Sequence, residues 1–327
     1  GLVRNLDFGG GLEGLTINPA TYDIFPLDDA PGILRTKDCQ YGHHPVTREQ
    51  VARTSAFLAH VSEGVNDAAR NEFRCQSSMS YDTSPQPGGG GTSQDWIMPQ
   101  ATLIHAVALT AQDFDLVAAR HARVVWSPRS NLSLYGKTMD VLAARERGIV
   151  MALGSDWLPS GSMNINRELA CALHYNHDHL HDALTDDDLW RMVTIDAARV
   201  AGADAEIGSI AVGKVADLVL FADPHDRGVH AVVRSQPQQT MLVMRGGVVL
   251  AGWPDLVRPL RQGCDVIDLA GHPFGVCPET GRAPVSVMVA YARDHDLYPL
   301  AFDGTPRNEP PCETSEQAVR GTRASAP

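Results

Sequence analysis

Residues 101–127 read ATLIHAVALTAQDFDLVAARHARVVWS. Thr102–Ala106 is a short apolar run of strand length, and Ala111–His121 repeats its apolar positions at helical spacing. Arg123–Ser127 is again β-branched and apolar. Strand, helix and strand in succession make the βαβ unit of a parallel sheet. The rhythm continues on both sides. Upstream, Ser55–His60 reads as a strand and Val61 to Arg74 as a helix with its charge outward. Downstream come a helix over Lys137–Gly148, a strand over Ile149–Gly154 and helices over Asn164–His174 and Thr185–Val200. Thr185 precedes three aspartates, an N-cap with negative charge at the positive end of the helix dipole.

Past Gly202 the pattern turns strand-rich. Residues 207–221 and 240–251 carry strands and glycine turns with no helix expected between them, so 205–270 is expected to be a small β domain. Between Gln76 and about Pro99 lies Pro85-Gln-Pro-Gly-Gly-Gly-Gly, a composition that cannot pack and reads as a mobile surface insertion. Residues 271–327 form an irregular extension, and from about Asp303 the composition is that of a disordered tail.

The chain has 327 residues, 43% hydrophobic, enough for a sizeable core. With 27 basic against 39 acidic residues its net charge is −12, and no basic block stands out. Nucleic acid and anionic membrane are therefore not expected as partners, and no apolar run reaches the roughly 18 residues of a membrane span. The six cysteines show no Cys-x-x-Cys spacing. They are expected to be reduced thiols in a cytoplasmic protein.

The polar residues fall at strand ends. His60 ends the first of these strands, with Glu63 following, and His105 lies on the second. The third runs into Trp126-Ser-Pro-Arg-Ser-Asn131 and the fourth into Gly154-Ser-Asp156-Trp157. In a β/α barrel such ends share one rim, where active sites are built. Imidazole and carboxylate together suit a borderline divalent metal. Singly each member has a plainer explanation: a half-buried histidine, a cap at Asp156, or a dipole partner at Glu63 on a first helical turn. The ordered set is far more specific than its members.

The segments Phe57-Leu-Ala-His-Val-Ser-Glu-Gly, Leu103-Ile-His-Ala-Val-Ala-Leu, Val124-Val-Trp-Ser-Pro-Arg-Ser-Asn-Leu and Ala152-Leu-Gly-Ser-Asp-Trp resemble the amidohydrolase superfamily. The branch they resemble most holds cytosine and adenosine-type deaminases and triazine chlorohydrolases. Gly208-Ser-Ile-Ala-Val-Gly-Lys-Val-Ala-Asp-Leu-Val-Leu resembles that superfamily's C-terminal signature. The resemblance covers about residues 50–255. It implies an α/β fold, a partial TIM-like (β/α)8 barrel over residues 1–204 holding about strands 3/4 to 8, with a small C-terminal β-sandwich.

It further implies a hydrolase of non-peptide carbon–nitrogen bonds acting on a small molecule through one divalent ion, zinc or iron. His60 would be a metal ligand and Glu63 the proton shuttle. His105 would be a second ligand or the group that polarises the substrate, and Asp156 a ligand that also takes the water's proton. Ser130 and Asn131 would shape the pocket. Homodimers are common among relatives.

The superfamily's His-x-His pair, expected on an earlier strand, has no counterpart before His60. His43-His44 are adjacent and would face opposite ways, and His177-Asp-His179-Leu-His181 reads as a solvated segment. Plausible strands near Leu2–Phe8 and Leu15–Asn18 do not bring the count to a closed barrel of about eight. The expectation is that about three strands lie upstream, and that this chain alone binds metal weakly, is nearly inactive and exposes an aggregation-prone edge. A non-catalytic binding protein with a decayed metal site is the alternative, and peptide or lactam hydrolysis a weaker third.

Overall fold

A computed structural model describes residues 20–84, 92–158, 160–225, 227–269, 271–278, 283–297 and 306–313. Five strands form one parallel sheet in chain order: β1 (Thr21–Asp23), β2 (Phe57–Val61), β3 (Ala101–His105), β4 (Arg123–Trp126) and β5 (Met151–Leu153). Between and after them run α1 (Arg48–Ala52), α2 (Asp67–Ser77), α3 (Ala111–Ala119), α4 (Pro128–Tyr135), α5 (Val141–Glu146), α6 (Ile165–Leu180), α7 (Asp186–Met192) and α8 (Ile195–Val200). The parallel α/β architecture is as expected.

Alternation along the strands divides the side chains between two faces. Phe57, Ala59 and Val61 of β2 join Leu103, Val124, Trp126, Met151 and Leu153 in the main core, under Phe114, Leu169 and Leu189 from the helices. The opposite face carries the smaller cluster Val125, Ala152 and Val200, with Leu58 and Ile104 against it. His60 shares the parity of Leu58 and so lies on this second face. Register aligns the strand ends: His60 pairs with Ile104, Val61 with His105, and Trp126 with Leu153.

The helices differ from the sequence expectation in where they break. The helix expected over Lys137–Gly148 is the shorter α5, Val141–Glu146, and before it lies the unforeseen α4, ended by Gly136 in the left-handed conformation. Thr185–Val200 is two helices, broken at Thr194, whose φ of −129° and ψ of −103° leave the helical region. Pro128 sits at the first position of α4, where its missing N–H loses no bond.

A second, antiparallel sheet of order β6-β7-β8-β10-β9 joins β6 (Leu218–Phe221), β7 (Thr240–Arg245), β8 (Val248–Gly252), β9 (Asp265–Leu269) and β10 (His272–Val276). Among the described residues this region forms a single five-stranded sheet, and the β-sandwich that the resemblance implied is not seen there. Three helices accompany it: α9 (Val229–Val233) between β6 and β7, α10 (Pro254–Val257), and α11 (Val285–Asp294). The sequence expectation of no helix between the strand-rich runs missed α9.

All six cysteines are paired: Cys39 with Cys75, Cys171 with Cys312, and Cys264 with Cys277, at Cα–Cα distances of 5.5, 5.4 and 4.1 Å. The expectation of reduced thiols is thus overturned. The pairs join residues 36, 141 and 13 positions apart, partners that spacing alone cannot identify.

Residues 306–313, expected to belong to a disordered tail, instead lie along α6. Glu309 accepts from the Met163 amide at 2.9 Å and pairs with Arg167, and Arg129 donates to the Pro310 carbonyl at 2.6 Å. The strands expected near Leu2–Phe8 and Leu15–Asn18, the glycine run of residues 85–91 and the tail beyond Glu313 lie outside the described residues. No helix among the described residues is long and apolar enough to cross a membrane.

Candidate metal centre

Three strand ends bring the predicted residues together. His60 lies one residue before the end of β2, His105 ends β3, and Asp156 follows β5 by three residues. The His60 and His105 rings are 5.0 Å apart between centroids. His105 Nε2 is 3.4 Å from Glu63 Oε2 and 4.0 Å from Asp156 Oδ2. The ligating atoms of His60, Glu63 and His105 all lie within 4.8 Å of one another, the only such group of potential metal donors among the described residues. Glu63 stands in the loop between β2 and α2, and not on the first helical turn as expected.

The backbone is bent to make this meeting. By alternation His105 would face the main core with Leu103. Its φ of 74°, followed by 51° at Ala106, turns the strand end into the left-handed region. Ser62 (φ 56°) and Asp156 (φ 54°) do the same at the neighbouring ends. Such conformations cost roughly 1–2 kcal/mol each outside glycine, and they gather where geometry has to be held. Gly154 is required beside them: a Cβ there would stand 2.6 Å from Val125 Cγ1.

Hydrogen bonds set each side chain. Ser130 Oγ donates to Asp156 Oδ2 at 2.5 Å, and the Trp157 amide donates to Asp156 Oδ1 at 2.7 Å. Tyr135 donates its hydroxyl to Glu63 Oε1 at 3.0 Å. Asn131 Nδ2 lies 3.0 Å from His105 Nδ1. The edge of the Tyr22 ring faces His60 at 5.8 Å. Ser130 and Asn131 were expected to border the site; Tyr135 was not, because nothing local in sequence links it to Glu63.

Burial raises the Glu63 carboxyl above its ordinary value, against the lowering effect of the His60 imidazole and the Tyr135 hydroxyl. Burial, and then the neighbouring His60, press His105 down to about 4, so it is neutral at physiological pH. A neutral imidazole and a carboxyl group whose proton affinity burial raises are suited to hydrogen bonding and proton transfer.

The donor set fits a divalent ion. Two imidazoles and the Glu63 carboxylate converge, with Asp156 4.0 Å from His105, and His60 Nδ1 and His105 Nε2 are buried without a hydrogen-bond partner, an arrangement that an ion or a substrate would relieve. The exposed histidines 177, 179 and 181 are elsewhere, on the last turn and cap of α6, with His177 Nδ1 3.1 Å from Asp182 Oδ2. His43 and His44 are exposed, and their amides donate to Asp28 Oδ2.

Comparison with known proteins adds the following. Residues 60–250 match the model of the amidohydrolase family. A 5-methylthioadenosine/S-adenosylhomocysteine deaminase of Syntrophobacter fumaroxidans is 34% identical over 132 residues, 39% of this chain and 30% of that protein. A 5'-deoxyadenosine deaminase of Methanothermobacter thermautotrophicus is 33% identical over 126 residues, 38% of this chain and 29% of that protein. The matched stretch thus spans under a third of the length of either relative. Among solved structures, an adenosine deaminase from Xanthomonas campestris with bound zinc superposes at a TM-score of 0.49 with 22% identity, covering 73% of this chain and 56% of that one.

Proposed function

Since the chain belongs to the amidohydrolase family, we propose that it is the site-bearing part of a metal-dependent hydrolase that removes an exocyclic amine from a small heteroaromatic molecule. The relatives named as deaminases of adenine-type nucleosides support this substrate class. The parallel sheet would be a segment of a TIM-like barrel, about strands 3/4 to 8, and the antiparallel sheet the family's smaller β domain. The observation that carries the proposal is the convergence of His60, Glu63 and His105, with Asp156 4.0 Å from His105.

His60 and Asp156 are assigned as ligands of one zinc or iron ion. Bound there, the ion supplies the Lewis acidity that makes water nucleophilic near neutral pH. Asp156, held by Ser130 and the Trp157 amide, is placed to accept a proton. Glu63, whose carboxyl burial raises, is placed to carry a proton to the departing amine, with Tyr135 fixing its rotamer. General acid–base help of this kind is worth roughly 10²–10⁴-fold. His105 serves either as a further ligand or as the group that polarises the substrate. The three cystines favour an oxidising compartment over the cytoplasm, since the cytoplasmic expectation rested on unpaired thiols.

The test is metal titration followed by ammonia release. Calorimetry at high zinc should show weak uptake that saturates at one ion per chain, and His60→Ala should abolish it. At saturating zinc, 5'-deoxyadenosine should release ammonia slowly, as a site with few protein ligands requires, and Glu63→Gln should lower that turnover by roughly 10²–10⁴-fold while keeping the ion. Equal uptake of zinc by His60→Ala would sink the site assignment. Uptake with no turnover on any exocyclic amine, in this chain at saturating zinc and in a longer chain that supplies the earlier barrel strands, would leave a binding protein in place of an enzyme.

A further inference from the structure

Behind His105 runs a chain of four buried side chains whose polarity can be read from its far end. Trp126 is 0% exposed, Thr138 2%, Asn131 0% and His105 1%. They come from the end of β4, the turn between α4 and α5, α4 itself and the end of β3. Indole Nε1 is a donor only, so at 2.8 Å the Trp126 N–H donates to Thr138 Oγ1. Thr138 then directs its one proton to Asn131 Oδ1 at 3.0 Å. That leaves Asn131 Nδ2 facing His105 Nδ1 at 3.0 Å, so Nδ1 is the acceptor. In a neutral imidazole the remaining proton then sits on Nε2.

We propose that Trp126, Thr138 and Asn131 form a directional hydrogen-bond chain that fixes His105 as its Nε2–H tautomer, a donor into the site and not a metal ligand. Asn131 and Thr138 are thereby positioning residues, acting through His105. Two physical points favour this direction over its reverse. If the Asn131 amide were turned over, Thr138 would accept from both neighbours, and its buried hydroxyl proton would have no acceptor among the described residues. A buried unmet donor of that kind is disfavoured. On the other side of the ring, Nε2 faces carboxylate oxygens, Glu63 Oε2 at 3.4 Å and Asp156 Oδ2 at 4.0 Å. An N–H there is attracted to them, whereas a lone pair is repelled.

The inference deepens the hydrolase proposal by giving His105 one of its two open roles. A donor N–H aimed from a buried ring is suited to polarise the ring nitrogen or developing negative charge of a heteroaromatic substrate. A lone pair at the same atom would instead have to go to the ion.

The tautomer can be read without substrate or turnover. The full chain is labelled with ¹⁵N in its histidines, and long-range ¹H–¹⁵N spectra are recorded under conditions where the imidazole is neutral. His105 is identified by the signals missing in His105→Gln. The expected wild-type pattern is Nδ1 bare and Nε2 protonated. In Asn131→Asp, where the neighbour can only accept, the pattern should invert. Thr138→Val should give a mixture of tautomers, and Thr138→Ser should restore the single wild-type form. Adding zinc to the wild type should move the His60 ¹⁵N signals and leave His105 Nε2 protonated.

A wild-type His105 protonated on Nδ1 overturns the proposal, as does loss of its Nε2 proton on adding zinc. Indifference of the pattern to both Asn131→Asp and Thr138→Val also overturns it. Should Asn131→Asp fail to fold, the wild-type spectrum and its zinc titration still decide. A chain that takes up no zinc but shows the expected tautomer removes the hydrolase proposal and leaves this one standing.

Discussion

Glu72 illustrates how a single side chain near the site shapes stability. Its Oε2 accepts the Ser62 amide at 2.9 Å, just beyond the end of β2, and burial pushes its pKa from 4.5 up to about 8. The nearby carboxylates Asp29 and Glu63 push the same way. Between these two values the folded chain binds more protons than the unfolded one. Its contribution to stability is therefore fully present below pH 4.5 and falls as the pH rises toward 8. Glu72→Gln should remove that fall. Urea midpoints across this range should decline with pH in the wild type and flatten in the variant; an unchanged slope would contradict the assignment. At this scale much of the site was legible. His60, His105 and Asp156 stand at strand ends, where the barrel pattern places chemistry, and Glu63 follows close behind. Tyr135 and Thr138 were not legible, because their partners lie 72 and 7 residues away in directions set only by the α4 turn. The left-handed backbone at Ser62, His105 and Asp156 was equally hidden, since none is a glycine.

Among the elements, α3 and the segment 306–313 give the sharpest tests. Helix α3 opens with a capping box in which Thr110 and Asp113 bond each other's backbone, and Arg70 of α2 donates to the same carboxylate at 2.8 Å. Thr110→Ala should lower stability by about 1 kcal/mol, typical of a lost cap. A shift within error in the denaturation midpoint would show that Arg70 alone holds the helix start. The 306–313 segment is held by both a cystine and buried charge. Cys312 is bonded to Cys171 of α6, and the Glu309 side chain is fully buried against Arg167 and Arg129. Cys312→Ser should cost about 2–4 kcal/mol and raise amide exchange in 306–313 while the site's own strands stay protected. Unchanged exchange there would mean that Glu309 suffices as an anchor. Strands β2 to β5 were foreseen within a few residues, since βαβ periodicity survives in the apolar pattern, whereas β1, α1 and α4 were not. What failed was the joining of distant pieces: the cystine pairs, the ordered segment against α6, and the break at Thr194, all products of tertiary contact and not of local propensity.

A short helix ties the second sheet to the main core. The chain leaves β6 at Phe221, forms α9 and returns as β7 at Thr240, so α9 belongs by sequence to the antiparallel sheet. Its side chains do not. Val233, 3% exposed, is part of the main core beneath the parallel sheet, with Val229 packed against it. Ala231 is 4% exposed, and His230 Nδ1 lies 2.5 Å from Asp186 Oδ2 at the start of α7. The small second cluster, Leu242, Val249, Val257 and Cys277, is by itself too slight to support a stable unit. Its sheet therefore depends on the main core through α9, and the two should open together. Val233→Ala removes two buried methyl groups and leaves a cavity, a change of roughly 1–3 kcal/mol. If the sheets form one cooperative unit, hydrogen exchange at Leu103 in β3 and at Leu242 in β7 should report similar opening free energies, and Val233→Ala should lower both by the same amount. A variant in which only the β7 amides lose protection would show that the parallel sheet holds its site without the antiparallel one. The geometry of His60, His105 and Asp156 would then owe nothing to the second sheet.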